Sequence, residues 1–237
     1  MIVTIHQPEH LPWLGFFDKA INADLLVLLD YVQYRKNYFQ NRNKVRTKDG
    51  WAWITLPVKQ PLMAPIDAIR IDLHSHLRRR YLSIIQTHYR QTPFWEAYFP
   101  AIRQIIGSEQ DKLIDINCEL IRFAFGLLGI KTPIVIASKL GVQKERGGTD
   151  VNLSICKFVG AKTYLSGVSG KEYLDCQRFT ENGIQVRFQE FHHPIYRQHY
   201  DPFIPCMSVI DLLFNHGPAS LDIIKGVGVE RMDRVFE

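Results

Sequence analysis

Five short apolar runs, separated by stretches of helical periodicity, do most to limit what this chain can become. They are IVTI at 2–5, DLLVLLD at 24–30, PIVIA at 133–137, KTYL at 162–165 and IQVRFQ at 184–189. Each is too short for a stable helix, and the first three read as strands buried on both faces. Between the first two runs Trp13, Leu14, Phe16, Phe17, Ala20 and Ile21 line one broad helical face. Between the third and fourth a helix is predicted over about 150–159, ending at Gly160. After the fourth, SGVSGKEYLD turns into another, which ends at Asn182-Gly183. This alternation predicts an α/β fold with a Rossmann-like, largely parallel sheet. In open sheets of that kind ligands bind outside the carboxyl ends of the strands. The loops after the first and fourth runs are therefore where a site is expected.

The remaining segments are additions to that frame. Lys48-Asp49-Gly50 is a turn signal between NKVRT and WAWITLPV, which predicts a β-hairpin. A further strand is expected over 69–73. From Ser75 to Gly129 the period is helical. Ser75 is the expected cap of a helix carrying Leu77, Tyr81, Ile84, Ile85 and His88, and Thr92-Pro93 is expected to open a second. A third spans about 111–128. The expected organisation is a single domain, 1–237, with a helical insert at about 75–129. No apolar run approaches the ~18 residues of a membrane span, so no membrane insertion is expected. Four widely spaced cysteines without a C-x-x-C pair, and a first strand in place of a secretory leader, suggest a cytoplasmic protein with free thiols. A net charge of +5 attracts phosphates without separating a nucleotide from a nucleic acid.

Three segments and one helix carry candidate chemistry. Pro8 and Pro12 keep HQPEHLPW out of a helix, so it is the loop after the first strand. A histidine at a strand end serves as a general base or donates to an anion. His6 and Gln7 are the candidate catalytic residues; His10, a candidate ligand donor, and Glu9 are weaker, because a loop tip is often just solvated. The bland alternative is a histidine that only braces its own loop. Residues 31–50 hold six basic residues and one acid, interleaved with Tyr31, Tyr34, Tyr38 and Phe39. Lys36, Arg42 and Arg46 are candidate phosphate ligands, and alternation on a strand would point Arg42, Lys44 and Arg46 together. Otherwise the segment is a solvated edge hairpin.

SGVSGK, residues 166–171, follows a strand and offers Ser166, Gly167, Ser169, Gly170 and Lys171 to an anion at a helix start. It is not the phosphate loop G-x-x-x-x-G-K-[ST], and its alternative is a tight turn that uses glycine for backbone freedom. Asp211 and Asn215, four apart in MSVIDLLFN, are candidates for binding hydroxyls, or simply tie a helix to a loop. His192-His193, His74-x-His76 and the cysteines form no recognisable ligand set, so no metal is expected and no cofactor is named.

Taken together, HQPEHLPWLGFFDKA, LDYVQYRKNYFQNRNKVRT, KTYLSGVSGKEYLD and HHPIYRQHYDPFIPCMSVIDLLFNHG resemble the bacterial WbqC-like proteins over nearly the whole chain. Members of that family occur among genes for O-antigen and related surface glycans. The resemblance implies work on nucleotide-linked sugars in lipopolysaccharide or similar biosynthesis. The first expectation is a transferase acting on a nucleotide-linked amino sugar, with amide-forming acyl or aminoacyl transfer as its candidate chemistry. An alternative is a non-catalytic accessory protein that binds nucleotide or, as second choice of partner, RNA. A nucleotidylyltransferase-like enzyme is the other. Pro8 to Trp13 is similar to the P-x-H-x-G-H stretch of those enzymes, but Pro12 replaces the glycine and Trp13 the second histidine. Nothing in the pattern sets an oligomeric state.

Overall fold

The computed structural model describes residues 1–59, 63–72, 75–145 and 147–232. In chain order its elements are β1 (Ile2–His6), α1 (Leu14–Ile21), β2 (Leu25–Leu28), β3 (Arg42–Thr47), β4 (Gly50–Thr55), β5 (Val58–Lys59) and β6 (Arg70–Ile71). Then come α2 (Ser75–Tyr89), α3 (Trp95–Gly107), α4 (Leu113–Leu128), β7 (Ile134–Ile136), α5 (Gly148–Phe158) and β8 (Thr163–Ser166). The chain closes with α6 (Cys176–Glu181), β9 (Gln185–Phe188), α7 (Val209–His216) and α8 (Ser220–Ile224). They fall into two compact units. The first comprises residues 1–8, 18–32 and 131–191, and the second 9–17, 33–130 and 192 onward. Leu73 and His74, part of two sequence expectations, lie outside the described residues, as does the side chain of Ser75. Among the described residues no helix is long and apolar enough to cross a membrane.

The first unit is built on a five-stranded sheet in the order β7-β2-β1-β8-β9, with every neighbouring pair parallel. Numbered as the strands appear, that order is 3-2-1-4-5, the doubly wound arrangement of the Rossmann type. The fold is thus α/β, with the β3–β4 hairpin standing outside the sheet. Alternation on β1 and β2 sends Val3, Ile5, Val27 and Leu29 to one buried face, where α5 supplies Val151, Ile155 and Cys156. Phe179 of α6 stacks on Tyr164 of β8 at 5.4 Å between ring centres. Each such side chain, fully buried, contributes ~1.5–3 kcal/mol relative to exposure. Thr4 faces the other way and is fully buried, its hydroxyl donating to the Leu165 carbonyl at 2.8 Å.

The second unit holds the hairpin, the short β5–β6 pair and the helices α2, α3, α4, α7 and α8. In α4 the buried residues Leu113, Asn117, Leu120, Ala124 and Leu128 recur at three and four, the stripe that a core-facing helix requires. Gly129 ends it at φ 67, a left-handed cap whose amide reaches Phe125 and Gly126. Two expected helix starts fall elsewhere. Thr92 does not cap α3; its hydroxyl donates to the Tyr89 carbonyl at 2.6 Å and closes the end of α2. SGVSGKEYLD forms a 3-10 turn over Val168–Glu172, and α6 starts only at Cys176, capped by Asp175 through the amides of Gln177 and Arg178.

Candidate functional site

In the first unit, β1 and β8 lie side by side at the point where the strand order reverses. Crossovers leave the two strands in opposite directions there, which is where doubly wound sheets accommodate ligands. His6 ends β1 and Ser166 ends β8. Their register pairs Ile2 with Thr163 and Thr4 with Leu165, so continuing it brings His6 level with Gly167. The parallel ladder therefore puts both loops at one carboxyl edge.

His6 is fixed by its backbone, whose carbonyl accepts from the Leu29 amide at 2.8 Å, and by its ring, whose Nδ1 donates to the Gln7 carbonyl at 3.0 Å. That bond selects the tautomer with Nε2 as the acceptor nitrogen. Burial, and then the charge of Lys19, push the His6 pKa down to about 3, against the pull of the Gln7 carbonyl. The ring is neutral near pH 7.

Lys19 was not singled out from the sequence, yet it is the most telling residue of this edge. It is 3% exposed, and its Nζ donates to the Ile5 carbonyl at 3.3 Å. A Cβ added to Gly167 would stand 3.8 Å from that ammonium, an ordinary contact that places the glycine against it. Beside it Gln189, just past β9, donates to Asp18 at 2.7 Å. A signal existed: Lys19 lies three residues after Phe16 and four before Ala23, on an apolar face where a solvated lysine does not belong.

The rest of SGVSGK divides between roles. Ser166 is buried, and its hydroxyl donates to the Gly167 carbonyl at 3.1 Å. Gly170 is glycine for packing, since a Cβ there would lie 2.1 Å from the Ser166 Oγ, and its amide is spent on the Gly167 carbonyl at 3.0 Å. Ser166 and Gly170 thus hold the turn rather than a ligand. Ser169 and Lys171 are exposed, with the Lys171 Nζ 5.5 Å from the centre of the Phe188 ring.

The other candidates all belong to the second unit. His10 is fully buried, with Nδ1 2.8 Å from the Asn117 Oδ1 and Nε2 2.8 Å from the Tyr81 hydroxyl. It is a core histidine rather than a ligand donor. Asp211 does bind hydroxyls, but they are the protein's own. It accepts from Tyr89 at 3.0 Å, Tyr196 at 2.9 Å and Gln198 at 2.9 Å, while Asn215 donates to its backbone carbonyl at 2.7 Å. Burial raises its pKa, and the three donors and the Arg46 charge oppose that rise. Arg46 is 1% exposed, and its guanidinium serves the carbonyls of Gly50, at 2.6 Å, Pro202, at 2.8 Å, and Thr47. Strand alternation holds for Arg42 and Lys44, which are half-buried on the outer face; residues 198–202 engage the third member. Lys36 is exposed in the loop before the hairpin. No group of three His, Cys, Asp or Glu able to hold a metal occurs among the described residues.

Buried neutral histidines make the fold sensitive to acid. Burial lowers His10 and His193 to about 4 and His6 to about 3. Unfolding frees each ring to titrate near 6.5, so the unfolded chain binds more protons below that value and stability falls with pH. By pH 5 each histidine removes about 2 kcal/mol. Asp211 acts oppositely, because its raised pKa lets the native state take up that proton first. Urea midpoints should drop steeply between pH 7 and pH 5; a flat profile would contradict the three burials.

The model of the WbqC-like protein family matches residues 7–223. The uncharacterized protein Rv1507c of Mycobacterium tuberculosis is 28% identical over an alignment of 235 positions that covers 94% of this chain and 97% of that protein. The matched span runs from Gln7 beside His6, through the hairpin and SGVSGK, to α8, and on that evidence the chain belongs to the WbqC-like protein family.

Proposed function

We propose that the carboxyl edge of β1 and β8 binds a nucleotide-linked amino sugar and that the protein is a transferase forming an amide on it. The observation that carries this reading is the buried Lys19 ammonium beside Gly167, at the reversal of a doubly wound sheet. The ammonium already donates to the Ile5 carbonyl, and its positive charge at the carboxyl edge of the sheet suits the diphosphate of such a ligand. In the proposed step the sugar amine attacks the acyl carbon, the new C–N bond forms, and the donor's leaving group departs. His6 Nε2 takes the ammonium proton, and the Gln7 amide donates to the developing oxyanion. Burial is the main cause of the low His6 pKa, but an anion bound at Lys19 would offset the second cause, so substrate binding itself would strengthen the base in part.

The test begins with binding. A nucleoside-diphosphate sugar at ~100 times its Kd adds ~2.7 kcal/mol of stability. A Lys19→Met variant should keep its fold and lose most of the corresponding rise in Tm. Incubation with amino-sugar nucleotides and acyl or aminoacyl donors is then read by mass spectrometry. Acyl mass gained on the sugar is the expected result. Saturable, Lys19-dependent binding with no such gain would leave a nucleotide-binding accessory protein and sink the enzyme.

A further inference from the structure

The hairpin of the second unit turns one face inward and one outward. Asn43, Val45 and Ile54 are fully buried. The outward face pairs Arg42 with Thr55 and Lys44 with Trp53 across the strands. It carries an unusual sequence of contacts. The Arg42 guanidinium lies 4.0 Å from the centre of the Trp53 ring, and the Lys44 Nζ lies 5.0 Å from Trp51 and 5.7 Å from Trp53. Aromatic contacts extend the row: Trp51 to Trp53 at 5.5 Å, Trp53 to Phe39 at 5.8 Å, and Phe39 to Tyr38 at 5.3 Å. Arg35 closes it, 4.6 Å over Tyr38. Trp51 remains 45% exposed and Tyr38 38%.

A few lysines are enough to guard a sheet edge, and such protection needs no exposed tryptophan. Trp51 and Trp53 are alternate residues of one strand, so their Cα atoms stand about 7 Å apart on the same side, while their rings meet edge to face at 87°. Arg42 already covers Trp53, so the rings that a base can reach are the exposed ones at the two ends of the row, Trp51 and Tyr38. Arg42 and Lys44 alternate in the same way on the neighbouring strand, which sets cations along the row for the phosphates. A free nucleotide has no use for a row this long, and a neutral glycan has no use for its cations. We infer that the outer face of β3–β4, through Trp51, Arg42 and Lys44 with Tyr38 at the far end of the row, binds single-stranded nucleic acid by stacking bases and neutralising phosphates. This site is independent of the reading given to His6 and Lys19.

The experiment uses the full chain, a labelled short oligouridylate, the same strand as a duplex, and heparin. The single strand should bind saturably, quench tryptophan fluorescence, and weaken between about 50 and 200 mM salt with a log–log slope near −2 if about three phosphates are held. Trp51→Ala should raise Kd about tenfold, Trp51→Phe should restore most of the affinity, and Lys44→Gln should flatten the slope by about 0.7. Because Trp51 is exposed, its truncation should leave the melting temperature in place. Failure to bind the single strand at low salt would overturn the inference. So would affinity indifferent to Trp51→Ala, or duplex or heparin binding as tight as the single strand.

Discussion

Asp211→Ala should lower the melting temperature by about 6–20 °C, or prevent folding outright. The carboxylate is fully buried and collects Tyr89, Tyr196 and Gln198, with the Arg46 charge nearby. Removing it leaves two hydroxyls and an amide without their acceptor and a buried guanidinium without its counter-charge. Losses of that kind amount to ~3–5 kcal/mol, a large share of the ~5–15 kcal/mol that holds a typical domain. At 2–4 °C per kcal/mol for a chain of about this size the melting shift follows. Asp211→Asn keeps a carbonyl acceptor and should lose less. A shift below about 3 °C for the alanine variant would mean the network carries little of the fold.

His6→Gln should leave folding intact and reduce turnover about 100-fold or more if His6 is the base. The ring is half-buried at a strand end, and glutamine keeps its polarity and much of its size. The pH profile separates a base from a brace. With a pKa near 3 in the unliganded protein, His6 should produce no limb near 6.5 in kcat/KM, which reports the free enzyme. In kcat the limb should move toward neutrality, because a bound anion offsets Lys19. Lys19→Met removes that charge permanently, so it should raise the free-enzyme pKa, though only in part, since burial is the larger cause. Turnover of His6→Gln within twofold of the parent would reduce the loop to a structural turn.

Legibility followed the range of the interactions. Strands such as IVTI and DLLVLLD were readable because burial on both faces of a parallel sheet writes an unbroken apolar run into the chain. The hairpin was readable because its turn is local. The start of α6 was not read correctly, since a glycine-rich strand end looks alike whether an α-helix or a 3-10 turn follows. Among candidate residues, His10 and Arg46 have the side chains of ligand donors, and nothing within ten residues of either announces Asn117, Tyr81 or Pro202. Lys19 was missed in the opposite direction: a lysine side chain suggests solvent, and only its spacing from Phe16 and Ala23 hinted at the apolar face.

By itself, then, the sequence determined the class of the fold, the strands that make the sheet, and which loops follow β1 and β8. It did so because apolar periodicity and turn chemistry act between near neighbours. Only the tertiary structure decided that β1 and β8 are adjacent at the reversal of strand order, which makes one edge of their two loops. It also decided which polar groups face that edge and which are spent in the interior. Arg46 and Asp211 are brought into one network across more than 160 residues of chain, and Lys19 is set against Gly167 across nearly 150. A charge acquires its role from what surrounds it, and those surroundings come from distant parts of the chain.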